Sequence, residues 1–244
     1  MAQGSLSAAN VVQAKHGSAA DTATAAVTLD SGTQAGSTVT VELWPGGVPI
    51  TDGGLEGRVP DGFETDIVGT AGSPPTPFLY IFRKRDVAAG EGAAGGSPAS
   101  WDFTFVTTNV WAWRVTEWDT ALEPVFPLEQ AVTNWVDGAP ATLSTGTTPT
   151  TNRANVVCLA CHLWYRVSGN GTQATWSSHT NDFVERSQFR GDLGAVAPVG
   201  VALSWSWKFA TATGTFETTA SRDLGTASDE EVAMLAVYAA TTYA

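Results

Sequence analysis

The chain has 244 residues, with 12 basic and 24 acidic side chains, a formal net charge of −12 and 15% charged residues, against roughly 25% in a typical soluble domain. The only dense basic run is Arg83-Lys84-Arg85, so neither a nucleic acid nor an anionic membrane surface is an expected partner. No apolar run approaches the ~18 residues of a membrane-spanning helix, and two cysteines exclude a disulfide framework.

The opening segment, MAQGSLSAANVVQAKHG, lacks a basic region followed by an apolar stretch, so no secretory leader is expected. Ala, Ser, Thr and Gly dominate the start of the chain, and residues 1–30 read as an extended arm. STVTVELW (37–44) alternates, with Val39, Val41 and Leu43 on one face and Thr38, Thr40 and Glu42 on the other. FLYIFRKR (78–85) is a short apolar run ending in charge. WDFTFVTTNVWAWRVTEW (101–118) reads as two strands, the first led by Trp101, Phe103 and Phe105, the second by Trp111, Trp113 and Val115. Residues 128–136, within LEPVFPLEQAVTNWVDG, are the one helical candidate. ANVVCLACHLWYRV (154–167), VALSWSWKF (201–209) and EVAMLAVYA (231–239) read as further strands. Period-two alternation of aromatic and β-branched residues marks half-buried antiparallel strands. Between them stand turn-formers such as WPGG, TDGG, GSPPTP and SGNG.

A weak repeat at an offset of about 120 residues, the size of a sandwich domain, relates the two halves. STVTVELW corresponds to NVVCLACHLW, Phe63 to Phe183, and NVWAWRVTEW to EVAMLAVYAA. The expected fold is all-β: two tandem antiparallel, jelly-roll-like β-sandwich units at 31–137 and 153–244. The arm (1–30) precedes them, and a Thr/Pro/Gly linker or long loop (138–152) joins them. One larger sandwich is the alternative.

Cys158-Leu-Ala-Cys161-His162 matches the C-x-x-C-H pattern of haem attachment. In a strand, however, residues three apart project from opposite faces, whereas haem, redox or zinc use requires the thiols to converge. Two buried structural cysteines are expected. His179, Asp182 and Glu185 do not converge from one strand and read as a loop. Asp229-Glu230-Glu231 lacks the spacing of a calcium loop and reads as a charged turn before a strand. Glu117 and Asp119 share a strand face, the pairing glycoside hydrolysis uses, but acidic pairs are common in so acidic a chain. No catalytic, metal or cofactor site is expected. Ten tryptophans are the most unusual feature. Trp111, Trp113, Trp205 and Trp207 fall at strand spacing and suit a core. Trp44, Trp118, Trp135 and Trp176 lie near strand ends, where they suit a subunit interface or stacking on sugar rings.

The Thr/Ala-rich opening (ADTATAAVTLDSGTQAGSTVTVELW), Gly-Phe after a turn (PDGFETDIVG), an aromatic strand ending in Arg/Lys (FLYIFRKRDVAAGE) and NVWAWRVTEW resemble a family of virion proteins. These are β-sandwich structural proteins of tailed phages of actinobacteria, of the minor tail or decoration type. The likeness is clearest over residues 20–120 and looser over 150–244, and Gly62-Phe63 stands where the family usually has Gly-Trp. The resemblance implies a non-enzymatic virion component, made in the host cytoplasm and assembled in several copies on a tail, tail tip or capsid. Other virion proteins and further copies of the chain would be its partners. A carbohydrate-binding module contacting a host-surface glycan is a second reading, and a cell-wall sugar hydrolase a third.

Overall fold

The computed structural model describes residues 7–45, 59–71, 76–91, 98–119, 128–137, 141–166, 174–193, 199–223 and 230–239. A 3₁₀ turn at Ala8–Asn10 leads into the strands β1 Val11–Thr28, β2 Ser37–Trp44, β3 Phe63–Ala71, β4 Thr76–Val87 and β5 Ser100–Trp118. There follow β6 Leu128–Asp137, β7 Thr142–Ser144, β8 Val156–Arg166, β9 Trp176–Ser177, β10 Val184–Leu193, β11 Val199–Ala210, β12 Thr219–Arg222 and β13 Glu230–Ala239. All pairings are antiparallel. The all-β class expected from alternation is therefore the class observed.

The strands form two five-stranded sheets, ordered β1-β5-β2-β4-β3 and β10-β11-β8-β13-β6, and a small sheet β7-β12-β9. Number the five strands of each large sheet in chain order, and both read 1-5-2-4-3. The same connectivity occurs twice, which gives the sequence repeat its structural meaning. The large sheets stack with their orders opposed, β1 beside β10 and β3 beside β6. Their shared core holds Trp44, Ile81, Ala112 and Trp118 from the first sheet and Leu159, Cys161, Trp205, Trp207, Met234 and Tyr238 from the second. Each fully buried indole withdraws roughly 200 Å² from water, about 5 kcal/mol before ordering entropy is subtracted.

Both outer faces are covered as well, so each half is itself a two-layer unit. In the first half β1 is no free arm. Val11–Ala19 pair with Trp111–Trp118, the register slips between Ala19 and Thr24, and Thr24–Thr28 pair with Ser100–Thr104. At the slip the β1–β5 ribbon doubles back. Trp111 Nε1 donates to the Thr22 carbonyl at 2.9 Å, and the returning Ser31 donates to Gln13 Oε1 at 3.1 Å. Lys15 and Asp30 pair at 2.9 Å across the fold. The doubled ribbon lays Ala25, Val27, Trp101 and Phe103 over Val39, Val41, Leu43, Phe82 and Trp113. Residues 101–118 are thus one bent strand rather than two, because bulges turn the ribbon without ending its ladder. This cover also buries both faces of β2, which alternation alone presents as half-exposed.

Two boundaries differ from expectation. Residues 128–137 form β6, which pairs with β13 of the second unit; β-branched Val132, Thr133 and Val136 with Trp135 favour a strand over the helical reading. The second unit therefore begins at β6, not after residue 152. Nor are the described residues of the 138–152 stretch a linker. Thr145, Thr148 and Thr151 donate their backbone N–H groups to the carbonyls of Thr218, Phe216 and Gly214, each at 2.9 Å. Their hydroxyls accept the N–H groups of the same three residues at 3.1, 2.9 and 3.2 Å. A threonine every third residue thus clasps every second residue of the facing segment, and all three threonines are buried. This clasp and the small sheet cover the outer face of the second sheet, over Val156, Cys158, Leu235 and Val237 and over Trp164, Ala202 and Ala233.

Candidate functional site

The strand geometry expected for the cysteines is what β8 adopts. Cys161 enters the core between the large sheets, and Cys158 lies under the outer cover. Both are buried and unbridged. Burial pushes Cys158 up to about 12 and Cys161 well above the ordinary thiol value, so neither presents a thiolate. Among the described residues no three His, Cys, Asp or Glu side chains converge as metal ligands.

His179 and Glu185 do meet, and Asp182 does not join them. His179 Nε2 lies 2.9 Å from Ser204 Oγ and 3.5 Å from Glu185 Oε2. Asp182 points to solvent beside Lys208. Sequence reasoning missed Ser204 and considered His162 only within the C-x-x-C-H match; His162 faces Ser204 across the β8–β11 register, and its ring lies 5.3 Å from that of His179. The serine, histidine and glutamate do not make a nucleophilic relay. A relay needs serine and acid on opposite ring nitrogens, whereas here both face Nε2, and among the described residues the buried Nδ1 has no partner. Ser204 is also 0% exposed. The cluster instead ties the segment between β9 and β10, through His179, to β8, β10 and β11 of the second sheet. Burial, then the neighbouring His179, lowers His162 to about 3.

Of the two carboxylates suggested for catalysis, Glu117 is structural. Glu117 is fully buried and accepts from Gln13 Nε2 at 2.6 Å, the Gln34 N–H at 2.6 Å and Ser37 Oγ at 2.7 Å. It ties β1 and the start of β2 to β5. Glu231, expected in a charged turn, points inward and pairs with Arg222, both almost wholly buried; Asp229 lies outside the described residues. Between the large sheets Asp66 accepts from Arg83 at 2.9 Å and from the Tyr238 hydroxyl at 2.8 Å. Glu42 sits opposite Arg114 in the β2–β5 register. Burial raises Glu42 to about 7, with Arg114 opposing the rise.

Of the four tryptophans singled out for contact with a partner or sugar, three are buried. Trp44, Trp118 and Trp176 are 0–1% exposed. Trp118 donates to Thr40 Oγ1 at 3.0 Å and lies 5.4 Å from Trp207, and Trp176 donates to the Ala202 carbonyl at 3.1 Å. Trp135 is half-buried against the central core. Strand-end tryptophans are usable platforms only where nothing lies above them. Here the stacked large sheets enclose Trp44 and Trp118, and Trp176 is packed between the small sheet and the second large sheet.

A concave site exists elsewhere. Thr147, Asn181, Asp182, Phe183, Lys208 and Glu217, with Thr215 and Phe216, surround a cleft of about 340 Å³ beside the threonine clasp. Glu217 accepts from Ser144 Oγ at 2.7 Å and Thr147 Oγ1 at 2.6 Å, which lower its pKa below the usual carboxylate value. Lys208 Nζ donates to the Asn181 carbonyl at 2.9 Å, and Asn181 Nδ2 donates to the Glu217 carbonyl at 2.9 Å. The lining comes from three segments far apart in sequence, so no local motif marks it.

Compared with protein-family models, curated proteins and solved structures, the chain matches none. Among the described residues no helix is long and apolar enough to cross a membrane.

Proposed function

We propose that this chain is a non-enzymatic structural protein of a phage virion, a minor tail or tail-tip component present in several copies. The observation that carries the reading is the arrangement of sheet edges. Among the described residues β1 and β10 each pair on one side only, as do β3 and β6. Because the sheets stack with opposed orders, these edges lie in two neighbouring pairs on opposite sides of the sandwich. Each pair offers backbone donors and acceptors to strands of a neighbouring subunit, a common assembly mode. Charged Lys15 on β1, and Glu185, Arg186 and Arg190 on β10, discourage indiscriminate pairing and favour a charge-matched strand. Val184 at the head of β10 is the one large hydrophobic side chain that is exposed among the described residues, at 50%. The resemblance over residues 20–120 supports the same reading, with docking assigned to the sheet edges rather than to an arm or to tryptophans.

The test is immunogold labelling of intact phage-like particles with antibody raised to the chain. Label on the tail or its tip is expected. Label over the capsid would replace the tail assignment with a capsid decoration protein, and particles without label would overturn the virion reading.

A further inference from the structure

We propose that the cleft beside the threonine clasp is a preformed binding site for a neutral saccharide unit. The inference stands whether or not the chain is a virion component. Its walls are held before any ligand arrives. One wall carries Thr147, between clasp residues Thr145 and Thr148, and Glu217, between Phe216 and Thr218, all tied by the paired backbone and hydroxyl bonds described above. The other is the tight turn at Asn181 and Asp182, both at positive φ (58° and 61°) and anchored by Lys208 and the Glu217 carbonyl. Rigid walls reduce the ordering cost of binding.

The functional groups select the ligand class. Carboxylates of Asp182 and Glu217 face an anion with like charge, in a chain that is already at −12. The Lys208 ammonium, 3.5 Å from the Asp182 carboxylate, opposes a cation between them. An apolar ligand would strip water from these charges and from the Thr147 and Thr215 hydroxyls without replacing it. A hydroxyl donates to a carboxylate and accepts from an ammonium at once. Vicinal hydroxyls of a sugar would bridge Asp182 and Lys208. Phe183 and Phe216, buried to 5% and 8% exposure at the base of the cleft, offer apolar edges to a ring's C–H face. A volume of about 340 Å³ falls at the small end of ligand pockets, roughly 300–1,000 Å³, which suits one or two sugar rings.

Saturation-transfer NMR on the full chain tests this with D-glucose, D-galactose, D-mannose, N-acetyl-D-glucosamine and L-arabinose as methyl glycosides. Asp182→Asn keeps a residue that tolerates positive φ and removes the charge. Thr215→Trp fills the cleft from an exposed position. At least one glycoside is expected to receive saturation, with affinity about tenfold weaker in D182N and signal lost in T215W. Three results would each overturn the proposal. They are no transfer to any glycoside at ~20 mM, transfer unchanged in T215W, and displacement of the sugar by an equal concentration of inorganic phosphate.

Discussion

Two buried ionisable groups with opposite pKa shifts make the pH dependence of stability a test of the central core and the outer cover. His162 titrates at about 3 in the folded chain instead of 6.5. Its contribution to stability is fully present above pH 6.5 and is lost as pH falls toward 3. Glu42 titrates at about 7 instead of 4.5, so its contribution is fully present below pH 4.5 and is lost as pH rises toward 7. At about 1.4 kcal/mol per pKa unit, the shifts correspond to about 5 kcal/mol for His162 and about 3–4 kcal/mol for Glu42. Between pH 4.5 and 6.5 the two slopes cancel, and below 4.5 the histidine slope acts alone. Other groups titrate too, including Asp66 and His179, so the informative quantity is the difference between variants. Guanidinium unfolding followed by tryptophan fluorescence, from pH 4 to 8, gives it for wild type, Glu42→Gln and His162→Phe. Relative to wild type, E42Q should lose stability by about 1.4 kcal/mol per unit as pH falls from 7 to 4.5. H162F should gain at a similar rate as pH falls from 6.5. Difference curves that are flat across this window would refute the assignment of both groups to dry, weakly compensated positions.

Gly69→Ala would place a Cβ 2.8 Å from Met234 Sδ and 3.0 Å from Val232 Cγ1, forcing the large sheets apart at β3. A cost of about 1–3 kcal/mol is expected, read as a lower denaturation midpoint and partly relieved when Met234→Ala is added. Thr148→Val keeps the shape but removes the acceptor of the buried Phe216 N–H, so a loss of about 1–3 kcal/mol is expected. An unchanged midpoint would argue against the clasp. Arg222→Met alone strands Glu231 in the interior and should cost about 3–5 kcal/mol, whereas Arg222→Met with Glu231→Leu should restore most of it. A double variant as unstable as the single would contradict that account.

Alternation was enough to place β2, β11 and β13, whose apolar residues recur on one face, while β4 and β8 were legible as apolar, β-branched and aromatic runs of strand length. The inward set Val232, Met234, Ala236 and Tyr238 is the face expected from EVAMLAVYA. Alternation was silent where a second layer decides burial. Trp44 and Trp176 are covered by elements distant in sequence, and a strand-end position carries no record of that cover. The threonine clasp escaped notice because its signal is polar and of period three, where apolar periodicity is the usual guide. The cleft was illegible for a related reason, since Thr147, Asp182, Lys208 and Glu217 meet only through the folding of three segments.

The doubled β1–β5 ribbon also has a consequence in time. During synthesis β1 has no partner until β5 emerges, about 90 residues after β1 ends at Thr28 if counted to Trp118. Once β5 is made, the first unit can close, yet the face bearing Trp44, Ile81 and Trp118 still waits for β8, β11 and β13. Those strands end about 120 residues later, at Ala239. At ~5–20 residues per second that is roughly 6–24 seconds. For that interval the nascent chain presents a broad aromatic face with its natural cover still unmade. The half-finished protein, more than the finished one, is the species that a chaperone or a neighbouring nascent copy would meet.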